Sequence, residues 1–487
     1  MKNTFFTIAF IFAFFFATGQ NTFLKVFSSP GYDEGIAAFR TANGGYILVG
    51  NTSGYGHGGS DIWVIALDSN TSLLWQKTYG GPADEKAAKA VLTPDSVLLI
   101  SGTTTSASAS VDAFLLKLSL TGVPLFYKTF GGVDWDFANS VEFYNDSVYL
   151  VCGKTFNGPN QGLYNSFITA FDSSGTLLWT KYGGNGVEEE YNDVKRRQDG
   201  KILLMGNTLD ALGSADTSFV RCLDSLGNMQ WEKVLHGKFR GALLSGTFFP
   251  DSSLVSVGYT FDTAAGYREP LLTRFDKNGN IIWYHDNNVS SDEIYSYVDT
   301  SSVSFINISG KSSQFSGDGS YDMDLSRFSL SGWYDKGIVP GGRRDDNAAM
   351  MSFYAQDSTY LAIGTTKSFH VPGSGIILVQ TDFNMDYDTT LQLMMVSSVG
   401  KTAAQTLNVK VYPNPVKDIL SVDFEGVTGG NVEIEVLDIS GRTLRKNNFS
   451  KGCTKCKLNL NTLSGGFYFL KITTGRFQSC VRFLKEP

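Results

Sequence analysis

A glycine that ends an apolar run recurs seven times in this chain. It stands at Gly50, Gly102, Gly153, Gly206, Gly258, Gly310 and Gly364, at intervals of 51 to 54 residues. A threonine usually follows two residues later, as in Leu48-Val49-Gly50-Asn51-Thr52 and Ile100-Ser101-Gly102-Thr103-Thr104. A period this long and this constant means that one supersecondary unit is stacked against copies of itself.

Two further markers share the period. A turn opened by Asp or Ser is followed seven residues later by an aromatic: Asp68 and Trp75, Ser119 and Phe126, Asp172 and Trp179, Asp224 and Trp231, Asp276 and Trp283. Turn glycines fall at Gly122, Gly175, Gly227, Gly279 and Gly332. Asp bonds the backbone two residues on and Gly takes the left-handed position, so these are hairpin turns. The unit closes on Lys77-Thr78-Tyr79-Gly80-Gly81, Lys128-Thr129-Phe130-Gly131-Gly132 and Lys181-Tyr182-Gly183-Gly184.

Each unit therefore holds four short strands, in the first copy Gly35–Thr41, Tyr46–Gly50, Ile62–Asp68 and Leu73–Thr78. Radial stacking of such four-stranded blades leaves only short, protected edges. A string of sandwiches would need about a hundred residues per unit. The expected fold is all-β, a seven-bladed β-propeller over residues 20–395. Phe23-Leu24-Lys25-Val26-Phe27 resembles the fourth strand Trp75-Gln76-Lys77-Thr78-Tyr79, and the seventh unit lacks a good fourth strand. Residues 22–28 are expected to complete the last blade and latch the ring.

The ends are of other kinds. Lys2, the apolar run Phe5–Phe16 and the small residues Ala17-Thr18-Gly19 predict a signal peptide over residues 1–19. No later segment is apolar for long enough to span a bilayer as a helix. Residues 396–407 are expected to be a linker. From residue 408 to 487 the pattern changes to alternating strands, as expected of a small C-terminal β-sandwich.

Val411-Tyr412-Pro413-Asn414-Pro415, Leu437-Asp438-Ile439-Ser440-Gly441-Arg442, Leu463-Ser464-Gly465-Gly466-Phe467-Tyr468 and the finish Val481-Arg482-Phe483-Leu484-Lys485 resemble, in order, the motifs of the type A C-terminal sorting domain of the type IX secretion system of Bacteroidetes. The resemblance implies that residues 408–487 engage that machinery, through Pro413, Asn414, Pro415, Gly441, Arg442, Gly465, Gly466, Tyr468 and Lys485. It implies export through the periplasm to the medium or the outer-membrane surface. It gives an address and no activity.

Chemistry is sparse. The four histidines, His57, His236, His285 and His370, form no ligand pair, and there is no nucleophile elbow or phosphate loop. No catalytic residue, metal site or cofactor is assigned. Asp-x-x-Gly…Trp resembles the tryptophan-docking turns of quinoprotein dehydrogenases, but the aromatics are expected to pack between blades. A net charge of −7 argues against a nucleic-acid partner, which calls for a basic face. Cys152 and Cys222 lie in apolar strands and are expected to be buried; the pairing of Cys453, Cys456 and Cys480 is open.

Acidic residues precede the first strand in six of the seven units: Asp33/Glu34, Asp84/Glu85, Asp134/Asp136, Glu188–Glu190, Asp292/Glu293 and Asp345/Asp346. Lys238 and Arg240 replace them in the fifth. Asp33, Asp84, Asp136, Glu190, Asp292 and Asp346 are candidates for a ring at one mouth of a central channel, able to hold a cation or cationic ligand. The other reading is that each caps an interblade loop. Two functions remain open: a secreted binding protein for a glycan or protein, or an enzyme degrading polysaccharide or peptide. Because residues repeated in every unit serve the scaffold, a specific site is expected where the markers weaken, between Lys238 and Arg344.

Overall fold

The computed structural model describes residues 22–486, except short segments, the longest of them 396–407. The expected signal peptide and linker lie outside the described residues. Two compact units result, residues 1–396 and 397–487. Among the described residues there is no α-helix, and no helix is long and apolar enough to cross a membrane.

The larger unit contains seven sheets in chain order, six of them wholly antiparallel. Their first strands are β2 (Asp33–Arg40), β6 (Glu85–Leu92), β10 (Asp136–Asn145), β14 (Glu189–Arg196), β18 (Gly241–Phe248), β22 (Glu293–Asp299) and β26 (Asp346–Tyr354). Each sheet runs outward from its first strand by hairpins, so that β2 pairs with β3 (Tyr46–Thr52), then β4 (Asp61–Leu67), then β5 (Leu73–Tyr79). Each first strand packs on the sheet before it, and β2 packs on β26 and on β27 (Thr359–Thr366), so the seventh sheet meets the first. This cyclic stacking of four-stranded sheets is the architecture of a β-propeller.

The stacking explains the apolar runs. β3 and β4 are buried along their whole length, because sheets cover both of their faces. The outermost strand β5 has no fully buried residue. The seven strand-end glycines sit opposite the third strand, where a Cβ would strike the backbone of the first: at Gly102 it would lie 1.9 Å from the Lys86 carbonyl oxygen.

The ring is closed by the amino-terminal strand. β1 (Phe23–Ser28), buried at all six positions, pairs antiparallel with β28 (Gly375–Thr381). One element departs from expectation. Residues 391–395, for which no strand is expected from the repeat, form β29 (Leu391–Met395), which runs parallel to β1 and gives this sheet a fifth strand.

The second unit has two antiparallel sheets. One joins β30 (Asn408–Tyr412), β31 (Ile419–Glu425) and β34 (Lys455–Asn459); the other runs β33 (Thr443–Phe449), β32 (Val432–Leu437), β35 (Gly466–Thr474), β36 (Phe477–Lys485). Leu420, Val422 and Leu458 from the first share one core with Ile434, Val436, Leu470, Ile472 and Phe483 from the second.

Candidate functional site

The seven first strands share a device that re-aims side chains. Each carries a register irregularity at its fourth residue: Ile36, Ala88, Asn139, Asn192, Leu244, Ser296 and Ala349. A bulge bends the strand and turns the extra residue out of the ladder. All seven line one cavity of about 390 Å³, with Glu34, Lys89, Tyr297, Lys311, Asn347 and others. Seven equivalent residues can converge on one cavity only at the axis of the ring, so this is the central channel.

The candidate carboxylates do not form a single ring; they fall in three registers. Asp33, Asp136 and Asp346 are the first residues of their strands and are buried. Asp33 accepts hydrogen bonds from Ser29 N, Ser29 Oγ and Thr52 Oγ1, each at 2.6 Å. Asp136 accepts from Gly132 N at 2.8 Å, and Asp346 from Gly342 N at 2.8 Å and Ser368 Oγ at 2.9 Å. Burial raises the Asp33 and Asp136 carboxyls, against the hydrogen bonds that hold them down. Glu85, Glu189 and Glu293 occupy the same buried register, and Gly241 replaces the acid in the fifth sheet.

Asp84 and Asp292 stand one residue earlier. They accept from backbone N–H groups of the preceding sheet, Ser60 at 2.8 Å and Arg268 at 2.7 Å. Burial of Asp292 is outweighed by the Arg268 guanidinium and the Tyr321 hydroxyl, which hold its carboxyl at about 2. Glu190 stands one residue later and is paired with Lys154 at 2.8 Å. In the fifth unit Arg240 pairs with Asp216 at 2.7 Å, and Lys238 lies outside the described residues. These acids tie loops and neighbouring sheets together.

A different set of charges breaks the sevenfold pattern. It sits just past the bulge, where the other sheets place Ala37, Ser140, Ser245 and Met350. Lys89 (β6) and Asp193 (β14) approach to 3.9 Å across the channel. Asp193 Oδ1 accepts from Ser140 Oγ at 2.6 Å, while Oδ2 accepts from Gly246 N at 3.1 Å. Two residues further along their strands, Lys195 meets Glu142 at 3.4 Å and lies 3.6 Å from Asp193. The Lys89 amine lies 4.9 Å from the centre of the Tyr297 ring. Beyond Tyr297, Asp299 accepts from Phe353 N at 3.0 Å.

Burial would raise the Asp193 carboxyl, but Lys195 and Lys89 outweigh it and hold it below the usual range. Burial raises Glu142 and Asp299 and lowers Lys89. Lys195 is raised, because Asp193 and Glu142 overcome its burial. This constellation runs from the second sheet to the sixth, so it is not confined to Lys238–Arg344. The sequence signal that could have found it is register: Lys89, Asp193 and Tyr297 occupy equivalent places, counted from the glycine of each unit. Among the described residues no group of three or more His, Cys, Asp or Glu could hold a metal ion.

In the second unit the first and last motifs meet. Pro413-Asn414-Pro415 joins β30 to β31, and Asn414 Oδ1 accepts from Leu484 N at 2.8 Å, next to Lys485. Val416 N donates to the Leu484 carbonyl at 2.8 Å. Tyr468 OH donates to the Ser464 carbonyl at 2.9 Å, closing the turn that holds Gly465 and Gly466. Gly441 and Arg442 lie outside the described residues.

Residues 410–486 match the family described as the secretion system C-terminal sorting domain. No curated protein sequence matches the chain. Similar solved structures include the Pan2 WD40 domain of Neurospora crassa, at 10% identity and a TM-score of 0.46 over 72% of this chain and 89% of that one. The β-propeller domain of the Trilobed protease of Pyrococcus furiosus is 9% identical, with a TM-score of 0.43 over 74% of this chain and 97% of that one. The polysaccharide lyase Uly1 is 10% identical, with a TM-score of 0.43 over 72% and 90%.

Proposed function

From a chain that carries a secretion-system sorting domain at residues 410–486, we propose a type IX cargo that acts outside the cell, released or at the outer-membrane surface, as a binding protein whose ligand enters the axial channel. In this reading residues 1–19 are the signal peptide and the seven sheets are the seven blades of a propeller over 20–395. Residues 396–407 link it to a small β-sandwich, 408–487, that engages the secretion machinery.

The observation that carries the reading is the axial cavity. Its volume, about 390 Å³, falls at the small-molecule end of binding sites. Its wall holds charges that the repeat does not require, Lys89 among them. The alternative, a polysaccharide- or peptide-degrading enzyme, calls for a carboxylate free to donate a proton or attack. Glu34, the carboxylate that lines the cavity among the described residues, accepts from Asn51 Nδ2 at 3.1 Å, and Glu142 and Asp193 are each engaged by Lys195, which favours binding.

Two measurements test it. In a bacterium with type IX secretion, the full chain should reach the medium or surface, and a chain lacking residues 408–487 should stay in the periplasm. In a glycan array and ligand pull-down, the full chain should capture a ligand that Ala88→Trp, which fills the cavity, does not. Capture unaffected by that substitution would move the site elsewhere, and turnover of the captured molecule would replace binding by catalysis.

A further inference from the structure

Where the first and second sheets meet, two acids face each other. Asp61 opens β4, Glu85 opens β6, and each is 1% exposed. The Glu85 amide donates to the Ser60 carbonyl at 2.7 Å, which sets the two strand ends side by side. The carboxylates are close as well. The point where a Cβ on Gly80 would sit lies 2.1 Å from Asp61 Oδ1 and 2.5 Å from Glu85 Oε2. The two oxygens are therefore separated by no more than the sum of these distances.

Three of the four carboxylate oxygens have donors. Asp61 Oδ2 accepts from His57 N at 3.0 Å and Gly58 N at 3.2 Å. Glu85 Oε1 accepts from Thr104 Oγ1 at 2.5 Å, and Oε2 accepts from Gly81 N. Asp61 Oδ1 is buried and has no hydrogen-bond partner. A buried oxygen without a donor, set against a second carboxylate, calls for a hydrogen between them.

The surroundings do not supply a counter-charge. Burial raises the Asp61 carboxyl, the Gly58 and His57 amides oppose this, Glu85 adds to it, and the His57 side chain works against it. Tyr79 stands opposite Ile62 on the neighbouring strand, Tyr127 lies near Glu85, and Asp84 accepts from Ser60 N at 2.8 Å. Lys86 follows Glu85 and is exposed.

The meeting of the third and fourth sheets is built differently. Asn165 holds the register of Asp61 there. The point beside Gly183 lies 2.6 Å from Arg221 Nη1 and 3.0 Å from Glu189 Oε2, and Arg221 pairs with Glu189 at 2.7 Å. In the second sheet Leu116 stands at the register of Arg221. Glu85 thus has an acid where Glu189 has an amide, and a leucine where Glu189 has a guanidinium.

We infer that the meeting of the first and second sheets is a proton-operated clasp: Asp61 takes up one proton and directs it toward Glu85, and the two sheets are held more tightly in acid than at neutral pH. Because the folded Asp61 carboxyl is raised above its unfolded value, this contribution is full below about pH 4 and is lost as the pH rises through the folded value.

The test is denaturant unfolding of the full chain at about pH 4 and about pH 7.5, for the wild type, Asp61→Asn, Glu85→Gln and Asp146→Asn. Asparagine mimics the protonated acid, and Asn165 shows that this register accepts it. From the lower to the higher pH, Asp61→Asn should gain on the wild type by roughly tenfold or more in the folding constant. Glu85→Gln removes the second charge and should gain in the same direction. Asp146→Asn, at an exposed turn residue, should gain nothing. A difference between the wild type and Asp61→Asn that is equal at both pH values would overturn the inference, and so would an equal gain by Asp146→Asn. If Asp61→Asn does not fold, Glu85→Gln decides, and no gain there overturns the clasp. Calcium chloride at the higher pH is the last arm. Stabilisation of the wild type that Asp61→Asn abolishes would replace the proton by a metal ion and overturn the inference.

Discussion

The indole of Trp179 lies against the turn glycine Gly227 of the next sheet, so closely that a Cβ there would come within 2.9 Å of the ring. Gly227 also has a φ of +79°, a left-handed backbone that side chains disfavour. The relationship repeats: Trp75 packs on Gly122, Phe126 on Gly175, Trp231 on Gly279 and Trp283 on Gly332. The turn and the aromatic that follows it thus serve two contacts, one with each neighbouring sheet.

Gly227→Ala should therefore be destabilising for two reasons, and Gly162 separates them. Gly162 has a φ of +81° with nothing within 4 Å of its added Cβ. Gly162→Ala should cost about 1 kcal/mol from backbone strain alone. Gly227→Ala should cost a further 1–3 kcal/mol, roughly, for overpacking against Trp179. Denaturant melts of the two variants check this, and equal losses would remove the ring contact from the account.

Deletion of residues 22–28 removes the strand that joins β28 to β29. Phe23, Leu24, Val26 and Phe27 are all at most 5% exposed. At about 1.5–3 kcal/mol for each large apolar side chain buried, the loss is of order 6 kcal/mol or more. That is comparable with the whole stability of a typical domain. The truncated chain should melt at a far lower temperature or fail to fold, and an unchanged melting curve would contradict the role of β1 as the ring's closure.

Asp324 gives a pH dependence of defined sign. It sits opposite Gly310, where equivalent glycines face Trp63, Phe114, Phe167, Phe219 and Leu271. A carboxyl thus replaces a large apolar side chain, and burial raises it to about 6, with Ser326 opposing and Glu293 assisting. Because the folded value exceeds the unfolded one, the stabilising contribution is full below about pH 4 and is lost as pH rises through about 6. Asp324→Asn should gain on the wild type by up to roughly 3 kcal/mol between pH 4 and 7. Denaturant midpoints at the two pH values measure it, and a difference independent of pH would count against a buried, titrating Asp324.

How much of this could be read in the chain depends on whether a residue's partner lies at a constant offset. Trp179 and Gly227 carry a contact that recurs once per unit, so counting exposes it. The strand Phe23–Phe27 is legible because it copies Trp75–Tyr79. The channel is not legible in this way. Its wall depends on a bulge in each first strand, and seven distant segments meet there only after the ring has closed. Lys89 and Asp193 share one register counted from their unit glycines, and Glu142 and Lys195 share another, but they belong to three different units and become neighbours only in the closed ring. The strand Thr443–Phe449 was hidden for another reason. Its sequence, Thr-Leu-Arg-Lys-Asn-Asn-Phe, is polar because it packs at an edge, where Lys446 bonds Glu433 at 2.8 Å.

The channel charges make the sharpest prediction about stability. Lys195 lies between two carboxylates, Glu142 at 3.4 Å and Asp193 at 3.6 Å, and Asp193 is fully buried. Removing the cation leaves the fully buried Asp193 and the half-buried Glu142 without it, with Lys89 in an ion pair with Asp193 alone. Breaking a buried pair from one side typically costs about 3–5 kcal/mol, whereas replacing both partners costs far less. Lys195→Met should fall in that range at pH 7 and lose much of its penalty near pH 4, where Glu142, already raised by burial, is protonated. Glu142→Gln in the Lys195→Met background should recover about half of the loss. A double-mutant cycle by denaturant melts gives the coupling directly. Additive losses would mean that the two side chains act independently and that each charge is solvated well enough to stand unpaired.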